Sequence, residues 1–139
     1  MIYDITKKLH ENFPDHKIYT ETIEQGFKQP CFLVTQLSGG GNREIGNRFG
    51  FENQFMVQFF PVPYKIQSTH TELKQCRDML EKLRFLLIDV GNYHAVELNG
   101  TISDNVLNVE CVYMERVIVQ TDIPEMNAYS QNFKEKKGD

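Results

Sequence analysis

The residues of this chain whose types could do chemistry are four histidines, three cysteines, scattered serines and a run of three glycines. Gly39-Gly40-Gly41 invites a phosphate-loop reading, but such a loop needs the pattern G-x-x-x-x-G-K-[ST] opening a helix. Here Asn42 and Arg43 follow the glycines, and the run reads as a flexible hinge. His10, His16, His70 and His94 stand in no HxxxH pair and beside no second ligand at metal spacing; they read as surface residues. Cys31, Cys76 and Cys111 each lie in an apolar stretch and read as small buried hydrophobes, without CxxC or disulfide spacing. A cysteine nucleophile would need an accessible, electropositive setting. Ser38 and Ser68 lie in no GxSxG elbow. The expectation is therefore no catalytic residue, no cofactor, no metal and no enzymatic activity.

What remains is surface chemistry. Arg43, Arg48 and Lys65 cluster near loops and could form a basic rim. Phe60-Pro61-Val62-Pro63-Tyr64-Lys65 is apolar and aromatic outside any strand. It reads either as a rigid turn over the core or as a contact surface, because Tyr and Phe concentrate in interface cores. Glu110 and Glu115 in the last strand are open in the same way. They belong to a solvated sheet surface or to one that meets a neighbouring subunit.

Bulk properties set the frame. A chain of 139 residues with 40% hydrophobic and 24% charged residues fits one ordinary globular domain. A net charge of −4 argues against nucleic acid as a specific partner, because phosphate binding needs clustered positive charge. The start, Met1-Ile2-Tyr3-Asp4, has no charged-then-apolar pattern of a secretory signal. The longest apolar run, Phe85 to Ile88, is far short of the roughly 20 residues that span a bilayer. These features, with the unpaired cysteines, predict folding in a reducing cytoplasm and no membrane partner.

The elements follow from periodicity. Ile2, Ile5, Leu9 and Phe13 recur at helical spacing, and Pro14 ends the helix, giving a helix over about residues 2–12. Lys17 to Thr22 is a polar strand near an edge, and Cys31 to Thr35 an apolar strand placed centrally or under a helix. Ser38 to Gly50 reads as a long loop, and long loops are often functional. Phe51 to Phe60 alternates, with Phe51, Phe55, Val57 and Phe59 on one face and Glu52, Gln54 and Gln58 on the other. Thr69 and Glu72 form a capping box for a helix over about 69–87, whose stripe is Leu73, Cys76, Met79, Leu80, Leu83 and Leu86. The last part is a hairpin of about Tyr93 to Ile102 with Val106 to Val119. Its turn is either Asn99-Gly100, the stronger dipeptide, or Ser103-Asp104-Asn105. The second is preferred because it leaves fewer unpaired backbone groups. The predicted class is α+β, a mainly antiparallel sheet of about four to five strands with two helices packed on one face. Residues 1–120 form the domain, and 121–139 a polar, flexible tail.

Several segments together resemble the tail terminator proteins of tailed phages and of related defective prophages of Gram-positive bacteria. The resemblance rests on Lys17-Ile18-Tyr19-Thr20-Glu21, Ile23-Glu24-Gln25-Gly26 and Gln29-Pro30-Cys31-Phe32-Leu33-Val34. It continues through Gly46-Asn47-Arg48-Phe49 and Asn53-Gln54-Phe55-Met56-Val57-Gln58-Phe59-Phe60-Pro61. It spans about residues 1–120 and carries no catalytic signature. It implies a small α+β fold and a structural role in virion assembly. Copies of the chain would form a ring, typically a hexamer, that caps the tail tube, ends its polymerisation and helps join tail to head. The implied partners are the chain itself, the tail tube protein and the head-tail connector protein. The implied places are the host cytoplasm during assembly and then the virion tail. On that reading Arg43, Glu44, Arg48, Phe49, Tyr64 and Lys65 contribute to subunit or tube contacts. Another head-tail connector or neck protein, a small ligand-binding domain and a nucleic-acid module are the competing readings.

Overall fold

The computed structural model describes residues 1–20, 28–63 and 71–118. Its elements are α1 (Ile2–Asn12), β1 (Lys17–Tyr19), β2 (Cys31–Arg43), β3 (Arg48–Phe60), α2 (Glu72–Leu86), β4 (Asp89–Val90), β5 (Tyr93–Ser103) and β6 (Val106–Ile118). The strands lie in the order β1-β2-β3-β6-β5-β4, with β1 parallel to β2 and the β4–β5 and β5–β6 pairs antiparallel. The class is α+β as expected. Among the described residues the sheet is mixed and has six strands, one beyond the predicted four to five. The extra strand is β4, whose two residues are too few to show an alternation. Gly91, at φ +60°, turns it back so that Val90 pairs with Tyr93.

The chain divides into two compact units, Met1–Gly39 with Asn53–Met114, and Gly40–Glu52 with Glu115–Asp139. The first holds the hydrophobic core. Ile5 and Leu9 of α1 are fully buried, and Ile2 and Phe13 pack beside them. The predicted 2–12 helix is present with the same bounds. Asp4 meets the N-terminal ammonium at 3.6 Å, which suits an acidic residue in a first turn. Lys8 reaches away from the helix to donate to the Asp89 carbonyl.

From α2, Cys76, Met79 and Leu83 enter the same core cluster as Phe32, Val34, Phe55, Val57, Phe59, Leu107, Val109, Cys111 and Tyr113. Both helical stripes are thus buried against alternate residues of β2, β3 and β6. Each such leucine or valine contributes about 1.5–3 kcal/mol relative to exposure. The cap differs from expectation. Thr71, not Thr69, is the N-cap, and its hydroxyl accepts from the Lys74 amide at 3.2 Å. Thr69 lies outside the described residues. Thr71 stands closer to the first buried position, and Glu72 becomes the first helical residue rather than the partner of a cap. Leu73 of the predicted stripe is exposed.

The β5–β6 hairpin turns at Asp104-Asn105, with φ of 53° and 61° and Ser103 paired to Val106. Both turn residues tolerate the left-handed region, as a two-residue hairpin loop requires. Asn99-Gly100 is no turn: Asn99 pairs with Glu110 and Gly100 with Val109. Gly100 is there for space, because a Cβ on it would stand 2.3 Å from Leu80 Cδ1. The helix lies on the strand at that point.

The predicted 38–50 loop is corrected. β2 continues through all three glycines to Arg43, and β3 begins at Arg48. The break falls at residues 44–47, where Gly46 takes φ +76°. Glycine is depleted in strands, so in sequence this run of three suggests a break. What decides its conformation is pairing. Gly41 lies beneath a ring, and a Cβ there would meet Phe51 Cδ1 at 2.6 Å and the Gly50 carbonyl at 3.0 Å. β1 is shorter than the predicted 17–22 strand; Thr20 lies outside it, and Glu21 and Thr22 are not described.

Candidate assembly surface

The second unit gathers most of the charged and aromatic residues singled out in the sequence. Its described part is the end of β2 (Gly40 to Arg43), residues 44–47, the start of β3 (Arg48 to Glu52) and the end of β6 (Glu115 to Ile118). The Glu44 amide donates to the Arg48 carbonyl at 2.7 Å and closes the turn. Ile45 at the tip is 94% exposed, an apolar side chain with no packing role in this unit.

Alternation gives this small sheet two distinct faces. On one, the Arg43 guanidinium lies 4.6 Å from the centre of the Phe49 ring, and Phe49 and Phe51 stack with centroids 6.3 Å apart. On the other, the Glu44 carboxylate lies over Gly50, where a Cβ would come within 2.8 Å of Oε2. Arg116 Nε donates to Glu44 Oε1 at 3.2 Å. Glu115 precedes Arg116 in β6, so its side chain falls on the Arg43–Phe49 face. The exposed cation–π contact is worth about 0.5–1 kcal/mol, and the Glu44–Arg116 pair about 0.2–1 kcal/mol. These contacts orient side chains more than they stabilise the fold.

Of the predicted contact residues, Arg43, Glu44, Arg48 and Phe49 are brought together in one turn. Tyr64 and Lys65 lie outside the described residues, so the proposed basic rim is represented by Arg43 and Arg48 alone. Arg116 and Glu115 were missed as members of this group. Arg116 shares strand parity with Met114 and Glu110, which placed it on the outer face, but nothing local links position 116 to position 44. The 60–65 segment splits at the described boundary. Pro61 is buried, and Val62 is held at both ends by Gln75, whose Oε1 accepts from its amide at 2.9 Å and whose Nε2 donates to its carbonyl at 2.8 Å. Residues 61–63 are thus tied to α2 through Gln75, with Pro61 turned into the protein.

The other candidate chemistry resolves as follows. All three cysteines are buried and unpaired, and burial pushes the Cys31 and Cys111 thiols up to about 11. They carry almost no thiolate at neutral pH. His10 and His94 are exposed, the latter 2.6 Å from Asp89; His70 is not described. His16 departs from the surface reading. It packs among Phe13, Phe32 and Phe59, with centroids 5.4–5.9 Å away. Its buried Nδ1 has no hydrogen-bond partner among the described residues. Burial holds its pKa below the ordinary 6.5. It borders a cleft of about 680 Å³ beside α1 and β1, with Thr6, His10, Asp15 and Lys17 also in the lining. Asp15 is the acidic side chain among the described residues of that lining, so no carboxylate pair of described residues converges there. No group of three or more potential metal ligands occurs among the described residues, and no described helix is long and apolar enough to cross a membrane.

The structure thus presents a packed α+β core and a two-faced terminal sheet of charged and aromatic side chains. Among protein families, the model described as phage tail terminator protein matches residues 1–125. No curated protein matches the chain. The matched span covers most of the 139 residues, including both helices and all six strands. This chain belongs to the phage tail terminator family and is a structural component of tail assembly.

Proposed function

We propose that copies of this chain assemble into a ring, typically a hexamer, that caps the tail tube, stops its polymerisation and presents a surface to the head-tail connector. The observation that carries this reading is the family match, joined to the terminal sheet formed by 40–52 and 115–118. That sheet leaves Arg43, Arg48, Phe51 and Ile45 exposed, with Phe49 half-buried beside them. Exposed aromatic and arginine side chains are the usual anchors of protein interfaces. Residues 1–120 work as one assembly domain with no catalytic step, in the host cytoplasm and then in the virion tail. Tyr64 and Lys65 join the same contacts.

The test is tube growth in vitro. Purified protein added to polymerising tail tube subunits should halt elongation. The double variant R43E/R48E should need at least tenfold more protein for the same effect. Unchanged capping by that variant would remove these residues from the contact. A related reading, that the chain is another neck or connector protein, separates from the first by tail length.

A further inference from the structure

The end strands of the whole sheet are short: β1 has three residues and β4 two. Short end strands are a usual way to blunt a sheet edge against unwanted pairing. The terminal unit is different. β1 pairs with β2 only from Cys31 to Leu33. β5 pairs with β6 only as far as His94 opposite Met114. Among the described residues, therefore, no strand covers the outer edge of β2 at Gly40–Arg43 or the outer edge of β6 at Glu115–Ile118. No described strand takes up the backbone N–H and C=O groups along either edge. The β2 edge is also unguarded, since Cys31–Arg43 contains no proline, lysine or acidic residue.

Resting on the ring reading, we infer that these two edges pair with each other between neighbouring copies: Gly40–Arg43 of β2 in one subunit lies beside Glu115–Ile118 of β6 in the next. The two edges are unlike, so each copy offers one of each, and the contact is head to tail. Contacts of that kind build closed rings when the rotation closes. Side-chain charge agrees with the pairing. Arg43 and Glu115 share one face of the terminal sheet, on opposite outer strands. Neither has an ion-pair partner among the described residues, whereas Glu44 and Arg116 on the other face satisfy each other within the subunit. Edge-to-edge pairing sets Arg43 of one copy beside Glu115 of the next. The glycines at 40 and 41 leave the β2 backbone open to close approach on that edge.

The experiment uses full-length protein assembled on tail tube ends, with hydrogen exchange and native mass spectrometry of the isolated rings. Amides of residues 40–43 and 115–118 should exchange at least tenfold more slowly in the ring than in the free subunit. R43E and E115R should each reduce ring yield at least tenfold, and the double variant R43E/E115R should recover to within threefold of the unmodified protein. Rings whose edge amides exchange as in the free subunit would overturn this inference and leave the ring reading standing. So would single variants that assemble normally, or a double variant that does not recover. Assembly that stops at dimers would mean like edges pair, and overturns it too. Protection that appears when one subunit binds a tube end, without ring formation, would assign the edges to a strand of the tube protein instead. A chain that stays monomeric with and without tubes overturns the ring reading itself.

Discussion

Arg43 and Glu44 are neighbours in sequence and act on opposite faces of the same short sheet, one against Phe49 and the other against Arg116. Such an assignment is set by strand parity and cannot be made while the segment is taken for a loop. His16 shows the reverse case: its neighbours Pro14 and Asp15 suggest a surface turn, yet Phe32 and Phe59 close around it from distant strands. Burial lowers its pKa, so the unfolded chain takes up a proton first as pH falls. The contribution of a neutral His16 is intact above about pH 6.5 and declines as pH drops from there toward the lower folded-state value. H16F should therefore raise the thermal midpoint and flatten its dependence between about pH 7 and 5. Melting curves across that range check it, and an unchanged slope would mean another group titrates. Tyr113 supplies a second residue-scale prediction. Its buried hydroxyl donates to the Leu87 carbonyl at 2.6 Å, one of the acceptors left open at the end of α2. Y113F should cost about 1–3 kcal/mol in chemical denaturation, because a buried acceptor is left unpaired.

At the scale of elements, the parts with a full period were legible. Ile5 and Leu9, then Cys76, Met79 and Leu83, specify both helices, and Leu107, Val109, Cys111 and Tyr113 specify β6. Where length favoured Asp104-Asn105 over the stronger Asn99-Gly100 dipeptide, the structure follows length. The misreadings share a cause. Gly39 to Gly41 and Gly100 look like breaks because glycine lacks intrinsic strand preference. Each is instead fixed by a partner distant in sequence, whether a paired strand, the Phe51 ring or the Leu80 side chain. β4 is held by pairing with β5 and by contacts with both helices, none of which two residues can announce. The same logic gives a prediction for Gly100. G100V should destabilise the chain by about 1–3 kcal/mol through overpacking against Leu80, and L80A in the same background should recover part of the loss. Equilibrium unfolding of the single and double variants decides it.

For the whole molecule, the core accounts for stability and the terminal sheet for the exposed chemistry. Only the first was readable with its partners. The proposed contact residues at 43, 44, 48 and 49 stand out by type and clustering, but their grouping with Glu115 and Arg116 depends on β6 lying beside β3, a fact with no local signature. The role proposed for this chain is to end tail tube growth. The direct measurement is the distribution of tail lengths, by electron microscopy, in particles made without this protein. Overlong tubes of uneven length are expected, corrected by supplying the protein in trans. Tails of normal, uniform length that merely lack heads would contradict it and assign the chain to the connector.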